Sequence, residues 1–170
     1  MSPKAKLALV FAVCAAPFVL GWIAYEYHLG SGGPANYGEL LKPQPLGGAL
    51  TPLRGKWVLV TADAAACAPA CERKLYIVRQ VRRAQGKEMD RIDRLWLLTD
   101  GGKPRAELVT ALDGGHIAAA DPQLIQALPN AADIYLVDPL GNLMMRFPAE
   151  ADPSKMIKDL QRLLKYSSFG

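Results

Sequence analysis

Residues Leu7 to Tyr25, LALVFAVCAAPFVLGWIAY, form a run of 19 without a single charge. That is close to the ~20 apolar residues a helix needs to cross the hydrocarbon of a bilayer. In lipid only a helix satisfies every backbone N–H and C=O within one segment. Lys4 and Lys6 precede the run, and the positive-inside bias keeps the N-terminus in the cytoplasm. Trp22, Tyr25 and Tyr27 stand at its far end, where amphipathic rings favour the membrane–water interface. A cleaved signal peptide fits less well, because the run is long for one and no small-x-small cleavage site follows. A buried core helix would show a polar stripe. Pro17 is a kink that membrane helices tolerate, and Cys14 reads as an apolar filler. The reading is a single-pass anchor, residues 1–27, in the bacterial inner (cytoplasmic) membrane, with the rest of the chain in the periplasm.

Residues 28–50, HLGSGGPANYGELLKPQPLGGAL, are rich in glycine and proline and read as a tether with little regular structure. His28, at its membrane end, reads as interfacial. Residues 51–170 are then the globular domain. The 20 Lys and Arg against 16 Asp and Glu leave a net charge of +4. They are spread along the chain, without the basic block or interleaved aromatics of a nucleic-acid surface.

The domain alternates strand and helix. KWVLVTA (56–62) is a β-rich apolar run. CERKLYIVRQVRRAQG (71–86) is an amphipathic helix with Leu75, Val78 and Val81 on one face and Gly86 as terminator. DRLWLLT (93–99) is a second buried strand, followed by a loop. DPQLIQALP (121–129) is a short helix capped by Asp121, with Pro122 in its first turn. DIYLVD (133–138), PLGN and LMMRF (143–147) make a hairpin. DPSKMIKDLQRLLKY (152–166) is a capped amphipathic helix. The order describes a small α/β fold, a thioredoxin-like sandwich whose first crossover is parallel and right-handed.

Cys67 and Cys71, in ACAPAC (66–71), fall between the first strand and its helix. A thiol just before a helix N-terminus meets free amide N–H groups and the positive end of the dipole, which favour the thiolate. Arg73 and Lys74 add positive charge. Cys71, about one turn on, is within reach of a disulfide or a shared ion. The plainer readings are a structural disulfide or two buried free thiols, but so short a loop removes little chain entropy and makes a poor staple. Two thiolates suit Cu(I), and an imidazole would complete such a site. His116, in DGGHI, reads by default as an exposed loop histidine. Its functional reading is a mobile third ligand.

RGKWVLV followed by CAPAC and a helix, then IYLVDPLGNLMMRF and a terminal amphipathic helix, resembles the Sco/SenC family from about Leu53 to Leu164. That family comprises membrane-anchored, thioredoxin-fold proteins that help build the copper centre of cytochrome c oxidase. The resemblance implies that Cys67 and Cys71 are redox-active, copper-binding thiols. It also implies an oxidase subunit or a copper chaperone as partner. The family's copper-ligand histidine lies five residues before the tyrosine of its YL(I/V)DP strand; counting back from Tyr135 gives Asn130 here. Glu72 replaces the proline after the second cysteine, TDGGKPRAE is all that remains of an acidic segment, and Ala132 stands where thioredoxins carry a cis-proline. Three functions follow: thiol–disulfide exchange with Cys67 attacking and Cys71 resolving, Cu(I) carriage, or a non-catalytic assembly module.

The topology is directly testable. An alkaline phosphatase fused to the C-terminus is expected to be active in intact cells; an inactive fusion there would reverse the orientation.

Overall fold

The computed structural model describes residues 2–27 and 36–168, in two units, Met1–Ala35 and Asn36–Gly170. In the first, helix α1 (Pro3–Glu26) starts at Ser2, whose Oγ accepts the N–H of Ala5 at 3.3 Å. None of its residues is buried, and an 18-residue window reaches a mean hydropathy of 2.4. It is therefore long and apolar enough to span a membrane. His28 and the tether as far as residue 35 lie outside the described residues.

In the second unit a six-stranded sheet forms around β2 (Trp57–Asp63). β2 pairs in parallel with β3 (Ile92–Leu98) and antiparallel with β5 (Ile134–Val137). β5 continues through the 138–141 turn into β6 (Asn142–Phe147), and the edges are β1 (Glu39–Pro45) and β4 (His116–Ala119). The sheet order is β1-β6-β5-β2-β3-β4. Side chains of β2 alternate between two cores, as a strand period of two requires. Trp57 and Leu59 pack with Ile77, Val78 and Val81 of α2 (Pro69–Arg83) and with Met156, Leu160 and Leu164 of α5 (Pro153–Tyr166). Val58, Val60 and Ala62 pack on the other face with Leu50, Leu53 and Leu124, the last from α4 (Pro122–Ala127). α5 is capped by Asp152, whose Oδ1 accepts the N–H of Ser154 at 2.9 Å.

The architecture is the α/β, thioredoxin-like sandwich that the sequence predicts. Two segments differ. From Asn36 on, the supposed tether belongs to the domain. Gly38 is buried and donates its N–H to Asp159 Oδ2 at 2.8 Å, Tyr37 packs on Phe147, and β1 pairs with β6. A 3₁₀ stretch (Gly48–Leu53) then buries Leu50 and Leu53. Pro43 and Pro45 argue against a central strand, but they are compatible with an edge, which is where β1 lies. The segment between β3 and α4 is not simply a loop, since it forms α3 (Ala106–Ala111) and β4. Elements of six and four residues are too short to show a period.

Gly38 offers a test. A Cβ there would lie 2.6 Å from both Met145 Sδ and Phe147 Cε1, two side chains with no exposure. Gly38→Ala is expected to lower unfolding stability by about 1–3 kcal/mol, read as a shifted urea midpoint of the whole protein. An unchanged midpoint would show that β1 contributes little to the core.

Candidate functional site

β2 ends at Asp63, and residues 64–68 turn the chain into α2. In that turn Cys67 donates its N–H to Ala64 O at 3.0 Å and adopts a φ of +46°, a left-handed conformation uncommon outside glycine. Ala68 is the N-cap and Pro69 the first helical residue, so Cys71 sits in the opening turn. The two Cα atoms are 5.1 Å apart and the sulfurs form a disulfide. Both cysteines are buried, at 3% and 2% exposure, among Ala65, Leu75, Trp96, Leu98 and Leu112.

The cations expected to act on the thiols are engaged elsewhere. Arg73 lies 3.6 Å from Glu150 at the surface. Lys74, only 2% exposed, turns inward. Its Nζ is 2.7 Å from Asp63 Oδ2 and donates to Ala132 O at 2.9 Å. Burial pushes the Asp63 carboxyl above its ordinary value, against the hydrogen bond and charge of Lys74.

Lys74 also draws the segment before β5 against the helix that carries Cys71. Asn130 lies in that segment. Its N–H donates to Tyr135 Oη (2.8 Å), its carbonyl accepts from the Tyr135 hydroxyl (2.7 Å), and its Oδ1 accepts from the N–H of Ala132 (3.2 Å). None of the described peptide bonds is cis. His116 is not brought to the cysteines. It begins edge strand β4 and its Nε2 is 3.1 Å from Asp93 Oδ2. Asp93 is five residues before Leu98, the β3 partner of Asp63, which is about 16 Å along the sheet. Among the described residues no three His, Cys, Asp or Glu side chains are grouped to hold a metal. An apolar groove of about 440 Å³, lined by Trp57, Leu140, Arg162 and Tyr166, lies at the opposite end of β2 and is no part of this site.

Residues that sequence reasoning passed over complete the site. Asp100 Oδ1 accepts the N–H groups of Ala65 and Gly102, each at 3.0 Å. Those bonds, Ala65's foremost, hold its carboxyl below the usual range. Arg105 Nη2 donates to Cys67 O at 3.4 Å and pairs with Glu72 in the first turn of α2. The D-G-G turn signal at 100–102 was the available clue to the first of these; nothing local announces the second.

The sequence profile described as "Transmembrane-like, thioredoxin-like, C-terminal domain" matches residues 57–167. The chain belongs to this family. No curated protein matches it. Among solved structures, the thioredoxin-like domain is similar to Bradyrhizobium japonicum ScoI with copper bound (22% identity, 74% of this chain and 98% of that one, TM-score 0.52). It is also similar to apo Sco1 of Thermus thermophilus (16%, 76% and 97%, TM-score 0.59). A third is BsSco, a member of the Sco family of cytochrome c oxidase assembly proteins in which a disulfide switch is described (14%, 81% and 99%, TM-score 0.50). These likenesses show the thioredoxin-like fold.

The buried pair can be tested in this thioredoxin-like domain. Lys74→Met strands Asp63 and is expected to cost about 1–3 kcal/mol, less than a fully enclosed pair because Asp63 is partly exposed. An acid with a raised folded pKa costs nothing below its unfolded value, about 3.9, and destabilises as pH rises through the folded one. The variant's deficit should therefore grow from pH 4 to pH 7 in urea titrations, and Asp63→Leu/Lys74→Met should recover most of it. A pH-independent deficit would deny the coupling.

Proposed function

We propose that this protein is a membrane-anchored thiol–disulfide exchange factor that assists cytochrome c oxidase assembly from the periplasmic face of the inner membrane. The observation that carries the reading is the closed Cys67–Cys71 pair at the strand-to-helix turn. The described disulfide switch of BsSco, on a similar fold, supports it. Exchange needs two thiols and no metal. In the reducing direction, the Cys67 thiolate attacks a partner disulfide and expels one partner thiolate. Cys71 then attacks Cys67 Sγ, releases the second and restores the Cys67–Cys71 bond. The reverse sequence oxidises a partner dithiol. The partner on this reading is a cysteine-bearing oxidase subunit or copper chaperone. Equilibration against glutathione should give a defined two-electron potential, and Cys71→Ser should trap a mixed disulfide through Cys67. A pair that stays oxidised across the accessible range would overturn exchange.

A second reading, Cu(I) carriage, draws on ScoI with copper bound. Reduced Cys67 and Cys71 offer two soft ligands, but His116 stands beside Asp93 and Asn130 supplies only a hard amide. The donor set is thus incomplete for a three-coordinate site. Asn130→His is expected to tighten Cu(I) binding by the reduced protein about 10- to 100-fold in competition with a chelator. Equal affinity in the parent protein would mean that another group completes the site, with His116→Ala the next variant to measure.

A further inference from the structure

The segment after β3 does something that exchange alone does not require: it closes over the disulfide. Trp96, Leu98 and Leu112 wall the inner side of the pair. On the outer side, Asp100 takes the N–H of Ala65, and Arg105 reaches Cys67 O and Glu72. Between them, Gly102 approaches so closely that an added Cβ would lie 2.8 Å from Ala65 Cβ. The result is 3% exposure at Cys67 and 2% at Cys71. Disulfide exchange requires a thiolate to reach one sulfur of the pair, so access enters the rate directly. Cys67 also holds its left-handed φ of +46°, a conformation that persists where the surroundings fix it.

We propose that residues 100–105 are a latch over the disulfide, with Arg105 as a positioning residue that must release Cys67 O before a partner thiolate reaches Cys67 Sγ. This rests on the exchange reading. With a dithiol as reductant, one thiolate bonds to Cys67 Sγ while the Cys67–Cys71 bond breaks and Cys71 leaves as thiolate. The second dithiol sulfur then attacks the first and frees Cys67. Two electrons reach the pair, the dithiol becomes a disulfide, and its two protons pass to the new thiols or to solvent.

The test is reduction of the full chain in detergent micelles by dithiothreitol, acid-quenched and read by mass-tagging of thiols. The wild-type rate should level off as dithiothreitol rises, because opening becomes limiting. Arg105→Ala, and independently Gly102→Ala, should raise that plateau about 3- to 10-fold, whereas Gly38→Ala, which strains the core far from the latch, should lower the urea midpoint without raising the plateau. Arg105→Lys should fall between, and Arg73→Ala, which breaks a comparable surface pair, should match wild type. A rate unchanged or slowed by Arg105→Ala, or raised as much by Gly38→Ala, overturns the latch while leaving exchange intact. A disulfide that no concentration reduces in any variant overturns exchange itself.

Discussion

Burial of β2 on both faces is the constraint on which the domain depends. From Trp57 to Ala62 every residue is buried, so the strand needs a cover on each side. α2 and α5 supply one cover, and the 3₁₀ stretch with α4 supplies the other. At about 25 cal/mol per Å² of apolar surface, a strand enclosed this way outweighs any single polar contact nearby. It also fixes where the turn after Asp63 emerges, and hence where the cysteines stand.

Polar contacts then refine a position that packing has set. Lys74 is the clearest case. A lysine at 2% exposure must be paired, and its two partners come from the end of β2 and from the segment before β5. One ammonium thereby fixes three pieces of backbone around the disulfide. This contributes precision more than net stability, since such pairs roughly break even against apolar replacements.

The fold was legible because its main signals are local. Continuous apolar runs marked β2 and β5, the turn between β5 and β6 marked the hairpin, and the i, i+3, i+6 spacing of Leu75, Val78 and Val81 marked α2. β1 was not legible because Pro43 and Pro45 carry the signature of a linker. The site was half legible. CAPAC at a strand-to-helix turn announced the pair, but Asp100 and Arg105 lie 35 and 38 residues from the groups they bind, a separation at which no local pattern survives. For His116 the default reading, an exposed histidine, fits better than the ligand reading: it pairs with Leu95 in the β3–β4 register, and its Nε2 meets Asp93.

The prolines of β1 have a further consequence. A membrane confines anchored proteins to two dimensions and raises their encounter frequency, which favours sheet-to-sheet growth at any open edge. Pro43 and Pro45 remove two N–H donors from one edge of this sheet, and the other edge, β4, is only four residues long. Both edges are thereby poor templates for strand addition by a neighbouring copy.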